Sequence, residues 1–213
     1  MSEAHPEERL AERLRGADLA AMAAAAGGAL SQAGEIGLEV WGEPFVVTLV
    51  CHSEAQPENL GATPSLDIKR PPGDSRRVPG VARLLLHYLA RADGTPPAGE
   101  WVALHDLPEG TFYHKAYQGY SGNKLVRAFG NEVAAFAQAA AAAGGEPLAL
   151  ADAAFAFRAL PRVPLAALYW AGEDEIPPKC SILFDASAPH YLPTDVLASL
   201  GGSLPDRIIR HRR

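Results

Sequence analysis

The residues best suited to chemistry are concentrated in one short segment near the C-terminal end of the chain, between Cys180 and Gly202. The segment begins Cys-Ser-Ile-Leu-Phe-Asp and continues Ala-Ser-Ala-Pro-His-Tyr-Leu-Pro-Thr-Asp, a pattern that predicts a strand, a polar turn and a new helix. Turns of this kind place side chains at a sheet edge beside a helix N-terminus, where anions are stabilised. Within eleven residues the turn gathers groups able to bind, donate or titrate: Asp185, Ser187, His190, Tyr191, Thr194 and Asp195.

His190 is the central candidate because a neutral imidazole can act as a general base or as an axial ligand to a metal-centred cofactor. Asp185, five residues earlier, is placed to orient it. The alternative is that Asp185 and Thr194 make only turn and cap hydrogen bonds, while His190 and Tyr191 cover the edge of the core. The residues alone leave both interpretations open.

Further candidates lie in the middle of the chain. His87 sits at the edge of the apolar stripe of a predicted helix over residues 79–92, as a ligand or as a half-buried structural histidine. Tyr88, Trp101 and Tyr113 are aromatic side chains that could form the walls of a site for a flat ligand.

Familiar catalytic and metal-binding motifs are missing from the sequence. The segment Gly119–Lys124 lacks both the Gly-Lys-Ser/Thr ending and the preceding strand of a phosphate loop. No GxSxG elbow, HExxH motif or paired-carboxylate helix is found, so neither an α/β-hydrolase nor a dedicated metal site is supported. Cys51 and Cys180 have no metal-binding spacing, and without a signal peptide we expect them to be buried strand residues in a reducing cytoplasm.

The overall charge and hydropathy exclude two classes of partner. The 213-residue chain carries a formal net charge of -6, whereas non-specific nucleic-acid binding needs a basic face. It also has no run of about 20 apolar residues, so we expect no membrane span.

The elements that must position these residues follow from periodicity and turn signals. An Ala-rich N-terminal segment, residues 1–28, predicts a helix over 6–26. Residues 36–51 predict a β-hairpin, residues 53–77 a long polar loop, and Trp101–Leu104 a short strand. Helical segments follow to about residue 143, with Asn131 as the N-cap of the last.

The C-terminal part predicts an antiparallel meander. Its strands cover residues 153–160, 165–170 and 179–185, and Thr194 then caps a closing helix that ends near residue 210. Strands and helices do not alternate as a parallel sheet requires. We therefore predict one α+β domain over 1–213, with an antiparallel sheet, built from the meander and the N-terminal hairpin, packed with helices.

Eight ordered motifs are spread over the chain: Leu-Leu-His-Tyr-Leu (85–89), Gly-Glu-Trp-Val (99–102), Phe-Tyr (112–113), Ala-Phe-Gly (128–130), Asp-Ala-Ala-Phe-Ala-Phe (152–157), Pro-Arg-Val-Pro (161–164), Ile-Leu-Phe-Asp (182–185) and Ala-Pro-His-Tyr-Leu-Pro-Thr-Asp (188–195). Together they resemble the bacterial and archaeal family called Domain of Unknown Function 3786, over about residues 30–210. The family pattern includes positions that match His87, Tyr88, Gly99, Glu100, Trp101, Asp185, His190 and Tyr191.

Some members of that family carry a corrinoid-type iron–sulfur module, so the resemblance implies a tetrapyrrole ligand and an iron–sulfur protein partner. This chain lacks the module's cysteines, so no iron–sulfur cluster is expected in it.

Three hypotheses of function result. The first is a cytoplasmic ligand-binding or accessory domain linked to corrinoid or other tetrapyrrole metabolism, with His87, Tyr88, Trp101, Tyr113 and Tyr191 around the ligand. The second is an enzyme in which His190 is the general acid or base and Asp185 or Glu100 orients it. The third is a non-catalytic protein-interaction module.

Overall fold

A computed structural model gives the structure of residues 10, 13–14, 16–51, 64–69 and 80–212. The chain divides into two compact units. The first consists of the residues up to Thr95 together with His190–Leu192, and the second of Pro96–Pro189 and Pro193–Arg213. The prediction of a single domain stays a prediction.

Helix α1 of the first unit is Leu19–Ala25, and Leu10, Arg13 and Leu14 before it are also helical, so the continuous helix predicted over residues 6–26 is divided. Its N-cap is Asp18, whose carboxylate accepts hydrogen bonds from the backbone N–H groups of Ala20 and Ala21. Gly16 has a φ of +74°, a left-handed conformation that no helix can continue through. The helix is therefore interrupted at Gly16, and residues 1–9, 11–12 and 15 lie outside the described part.

A four-stranded antiparallel sheet follows, in the order β1-β2-β3-β4. The predicted hairpin is present, and its two-residue turn uses Trp41 and Gly42, both with positive φ, as the twist of a tight hairpin requires. The strands are β1 (Ala29–Leu30), β2 (Ile36–Val40), β3 (Glu43–Cys51) and β4 (Pro64–Lys69).

Strand β4 corrects the prediction of a continuous loop over residues 53–77. Pro64–Lys69 pairs antiparallel with β3, and Val47 lies opposite Ile68. The prolines favoured a loop, but Pro64 is the first residue of an edge strand, where a missing N–H costs nothing. The rest of the predicted loop lies outside the described residues.

Helix α2, Val81–Arg91, completes the described elements of the first unit. The prediction of a helix over 79–92 is matched within a residue at its C-terminal end, and Pro79 lies outside the described residues. Its apolar spacing buries Leu85, His87, Tyr88 and Leu89.

The second unit is built on a five-stranded antiparallel sheet in the order β5-β9-β8-β7-β6. The three strands of the predicted meander are its centre, so the meander and the hairpin belong to two sheets rather than one. The α+β fold class is confirmed. The strands are β5 (Trp101–Ala103), β6 (Glu146–Leu148), β7 (Ala153–Leu160), β8 (Val163–Trp170) and β9 (Lys179–Asp185).

Four helices of the second unit complete the described fold. Contacts join α4 to β9, α5 to β7, and α6 to both α4 and α5. The described helices also lack the combination of length and apolar character that a membrane crossing requires. The helices are α3 (His114–Tyr120), α4 (Gly122–Phe129), α5 (Val133–Ala142) and α6 (Thr194–Ile209).

Two predicted helix caps are wrong, because tertiary partners occupy both side chains. The N-cap of α5 is Glu132, and the Asn131 amide instead exchanges two hydrogen bonds with the backbone of Gly172. Helix α6 has Pro193 as its N-cap, and the Thr194 hydroxyl donates to the Pro108 carbonyl at 2.5 Å.

Candidate functional site

A histidine–carboxylate pair forms the centre of the site in the first unit. His190 is the last residue of a short 3₁₀ turn, Ala188–His190, and its Nδ1 atom lies 2.6 Å from Oδ2 of Asp93. Asp93 follows the end of α2. Both side chains are 48% exposed, so the pair lies at the surface.

A tight turn that ends at Thr95 orients the Asp93 carboxylate. The backbone N–H of Thr95 donates to Oδ1 of Asp93 at 2.9 Å, which is the hydrogen bond of an Asx turn. Gly94 between them has a φ of +85°, a conformation that glycine adopts at no steric cost. The Thr95 hydroxyl also lies 3.3 Å from Nδ1 of His190, so Thr95 contacts both members of the pair.

These contacts fix the protonation pattern. Hydrogen bonds from His190 and from the backbone and side chain of Thr95 hold the pKa of the Asp93 carboxyl well below its ordinary value. An ionised carboxylate can only accept hydrogen bonds, so at neutral pH the proton in the 2.6 Å contact belongs to Nδ1 of His190. In the neutral imidazole, Nε2 is then the atom with the free lone pair.

The Nε2 atom is available for a ligand or a proton. Both hydrogen bonds that the structure gives His190 within the described residues involve Nδ1. An imidazole whose Nδ1–H is held by a carboxylate, with Nε2 open, is the arrangement found in metal-ligating and in general-base histidines.

Two buried tyrosines lie behind this pair. The rings of Tyr88 and Tyr191 are 5.5 Å apart and tilted by 33°, and both side chains are fully buried. The Tyr88 hydroxyl donates to the carbonyl of Ala26 at 2.7 Å, and the Tyr191 hydroxyl donates to the carbonyl of Thr95. Both rings are fully buried, and their predicted part in ligand binding stays a prediction.

His87 is the neighbour of Tyr88 in α2 and is 7% exposed. This burial fits the structural alternative for His87 better than a ligand position at the surface. Its predicted part in ligand binding stays a prediction.

Asp185 occupies a separate hydrogen-bond cluster, in the second unit. Its carboxylate, 1% exposed, accepts from the backbone N–H groups of Ala98 and Gly99 and from both the N–H and the hydroxyl of Ser187. Burial alone would raise the pKa of Asp185, but the hydrogen bonds from Ser187, Ala98 and Gly99 outweigh it and lower the pKa. Asp185 therefore acts as a clamp between two backbone segments, and the carboxylate that contacts His190 is Asp93.

The other predicted site residues also belong to the second unit. Trp101 lies opposite Asp185 in the β5–β9 register and packs against a small cluster on the sheet that includes Ala166. Glu100 has an exposed side chain, and its backbone carbonyl accepts from the N–H of Ala186. Tyr113 follows the 3₁₀ turn Gly110–Phe112 and is 37% exposed. Their parts in catalysis or in ligand binding stay predictions.

Sequence reasoning missed Asp93 and Thr95. Asp93-Gly94 served only as a stop signal for the helix, and 97 residues separate Asp93 from His190. The available signal was an Asp-Gly-Thr turn directly after a helix that carries a His-Tyr pair. In the described part of the chain, no three His, Cys, Asp or Glu side chains group together as ligands of a metal ion would.

Comparison with known proteins gives one match. The family model described as "Domain of unknown function (DUF3786)" matches residues 18–207, which include every residue of the site. No curated protein and no solved structure is significantly similar to the chain.

Proposed function

This chain belongs to the DUF3786 family, and we propose that its first unit is a ligand-binding module in which Nε2 of His190 is the donor to the metal of a tetrapyrrole, a corrinoid in the first instance. The observation that carries the proposal is the 2.6 Å contact between Nδ1 of His190 and the ionised Asp93. Histidines that bind metals almost always donate their other ring N–H to a carboxylate or carbonyl, which fixes the tautomer and raises the basicity of the ligating nitrogen.

Nε2 of His190 would hold the metal of such a group. A tetrapyrrole carries four nitrogen ligands of its own, so a single imidazole from the protein would be sufficient. When bound, its metal supplies redox or alkyl-transfer chemistry that the protein side chains lack. Asp93 orients the imidazole, and Tyr88 and Tyr191 support it from the buried side. As part of this proposal the protein works in the cytoplasm, with a separate iron–sulfur protein as its electron-transfer partner.

An absorption titration tests the proposal directly. Anaerobically purified protein is titrated with hydroxocobalamin and, separately, with hemin, and the shift expected for imidazole coordination is followed. We expect the shift in the wild type and in His105→Ala, an exposed histidine beside Asp106 that serves as the matched control. We expect no shift in His190→Ala. A wild type without a shift, or a shift that His190→Ala retains, would refute the proposal.

The same geometry supports a second candidate, an enzyme with His190 as general base. An Nδ1–H held by a carboxylate stabilises the imidazolium that forms when Nε2 takes a proton, and Asp93 is within hydrogen-bond reach. Hydrolysis of chromogenic ester and phosphoester substrates by cofactor-free protein tests this candidate. Activity lost in His190→Ala and kept in His105→Ala would support it, and activity kept in both would exclude His190.

The third candidate is a protein-interaction module, and one observation favours it. Phe112 is 89% exposed, with Tyr113 next to it at 37%. An aromatic ring this exposed is typical of contact surfaces between proteins. Phe112→Ser combined with affinity capture by the natural partner set would show whether capture depends on this surface.

A further inference from the structure

We propose that Tyr191 is a positioning residue, whose hydroxyl holds Thr95, and through Thr95 the Asp93 carboxylate, in the orientation that accepts the Nδ1–H of His190. The inference rests on the proposed function of His190 and assigns to Tyr191 a role other than a wall of the ligand site. All of the contacts that support it lie inside the first unit.

Thr95 lies at the centre of these contacts. Its N–H donates to Asp93, its hydroxyl lies 3.3 Å from His190, and its carbonyl accepts from Tyr191. A single residue therefore joins the carboxylate, the imidazole and the buried tyrosine. The N–H and the carbonyl of Thr95 belong to two planar peptide groups, and only the φ and ψ torsions of this residue lie between them, so holding the carbonyl leaves the N–H few ways to move.

The exposed Asp93–His190 pair needs a buried contact to hold its geometry. Asp93 and His190 are both 48% exposed, and an exposed pair gains little from Coulomb attraction because ordering two side chains costs entropy. Exposed groups hold a defined geometry when their partners are fixed by a buried contact. Tyr191 provides one, since its side chain is fully buried and contacts Thr95 at its polar end.

The position of Tyr191 is in turn fixed by its own buried contacts. Its ring packs against Tyr88, whose own hydroxyl is fixed on Ala26 at the C-cap of α1. The ordered series therefore runs from the end of α1 through two tyrosine rings to Thr95 and then to Asp93. His190 and Tyr191 are consecutive, so the residue that uses the carboxylate and the residue that anchors it are fixed together.

The chain offers a matched pair of variants. Tyr191→Phe removes the hydroxyl that holds Thr95 and keeps the ring contact, whereas Tyr88→Phe removes the other buried hydroxyl of the same ring pair. Both variants lose one tyrosine hydrogen bond to a backbone carbonyl. Only the first loses contact with the turn that contains Asp93.

The readout is the hydrogen exchange of the Thr95 amide, followed by NMR at neutral pH. We expect this exchange to be faster in Tyr191→Phe than in the wild type, because the N–H that donates to Asp93 is then held less firmly. In Tyr88→Phe the exchange of the Thr95 amide should stay at the wild-type rate. A rate unchanged in Tyr191→Phe, or one that rises equally in both variants, would overturn the proposal.

Hydroxocobalamin titration of the same variants separates this inference from the function of the site. Weaker binding by Tyr191→Phe than by Tyr88→Phe agrees with positioning of a ligating histidine. If wild-type protein gives no cobalamin shift, the proposed function fails, and the exchange of the Thr95 amide still decides whether Tyr191 positions the pair.

Discussion

Asp93 and His190 are joined by a 2.6 Å hydrogen bond, although 97 residues separate them in the sequence. The bond holds the proton on Nδ1 and leaves the lone pair of the neutral imidazole on Nε2. A carboxylate that follows a helix thus determines what a histidine in a distant turn can do.

The first prediction concerns the replacement of that carboxylate. Asp93→Asn keeps the size of the side chain and removes its charge, so His190 loses the carboxylate that orients its ring and fixes its tautomer. We expect its affinity for hydroxocobalamin to fall by about 10- to 100-fold, the usual effect of losing such a partner. Asp106→Asn, which alters the exposed carboxylate beside His105, is the control and should bind as the wild type does. Equal affinities in all three proteins would contradict the role of Asp93.

The second prediction is loss of stability in acid. The pKa values of Asp93 and Asp185 are both below the ordinary value of 3.8, so each folded carboxylate binds protons less readily than its unfolded counterpart. Their stabilising contribution is therefore complete above about pH 4 and is lost as the pH falls through the lowered folded pKa values.

Urea unfolding at a series of pH values between 7 and 3 measures this dependence. The free energy of unfolding of the wild type should decrease steeply below about pH 4. The double variant Asp93→Asn/Asp185→Asn should show a shallower decrease from a lower starting value. Parallel curves for the two proteins would argue against this origin of the acid sensitivity.

The third prediction concerns the contribution of Asp185 to the stability of the fold. In Asp185→Asn one carboxylate oxygen becomes an NH₂ group, which faces a backbone N–H donor and leaves it unsatisfied. We expect a loss of about 2 kcal/mol in the free energy of unfolding, a typical cost for an unpaired buried donor. The exposed substitution Glu175→Gln should change stability by less than about 0.5 kcal/mol. Full stability of Asp185→Asn would mean that the four hydrogen bonds do not form a clamp.

The fourth prediction tests packing in the second unit. A Cβ atom at Gly201 in α6 would lie 2.8 Å from the ring of Phe184, which is closer than carbon atoms pack. We expect Gly201→Ala to lower stability by about 1–3 kcal/mol. Gly119 in α3 has open space at its Cβ position, so Gly119→Ala should be neutral or stabilising by up to about 1 kcal/mol. Thermal unfolding of the two variants, side by side, should show opposite shifts or a shift in Gly201→Ala alone.

The sequence predicted the central sheet of the second unit well because local patterns specify it. Phe155 and Phe157 alternate onto one face of β7, and prolines and glycines delimit the strands. The predicted bounds of β7 and β9 match the structure, and β8 begins two residues earlier than predicted. Short edge strands such as β6 were missed, since three residues carry too little periodicity to be detected.

The candidate site was predicted only in part, for a physical reason. His190 and Tyr191 were identified from the density of polar groups in their own turn. Asp93 and Thr95 were not, because nothing local shows which of 25 acidic residues meets a given histidine after folding. Asp185 was the nearest carboxylate in the sequence, but backbone N–H groups and Ser187 occupy its oxygens.

The assignment of His190–Leu192 to the first unit has a consequence for biosynthesis. All other described residues of that unit precede Pro96, so a ribosome has translated the whole intervening stretch before the imidazole exists to meet Asp93. Until Tyr191 is synthesised, the nascent first unit lacks the hydroxyl that later donates a hydrogen bond to the Thr95 carbonyl. A gene fragment that stops at Thr95 encodes neither the histidine nor its anchor, and truncation cannot isolate the site.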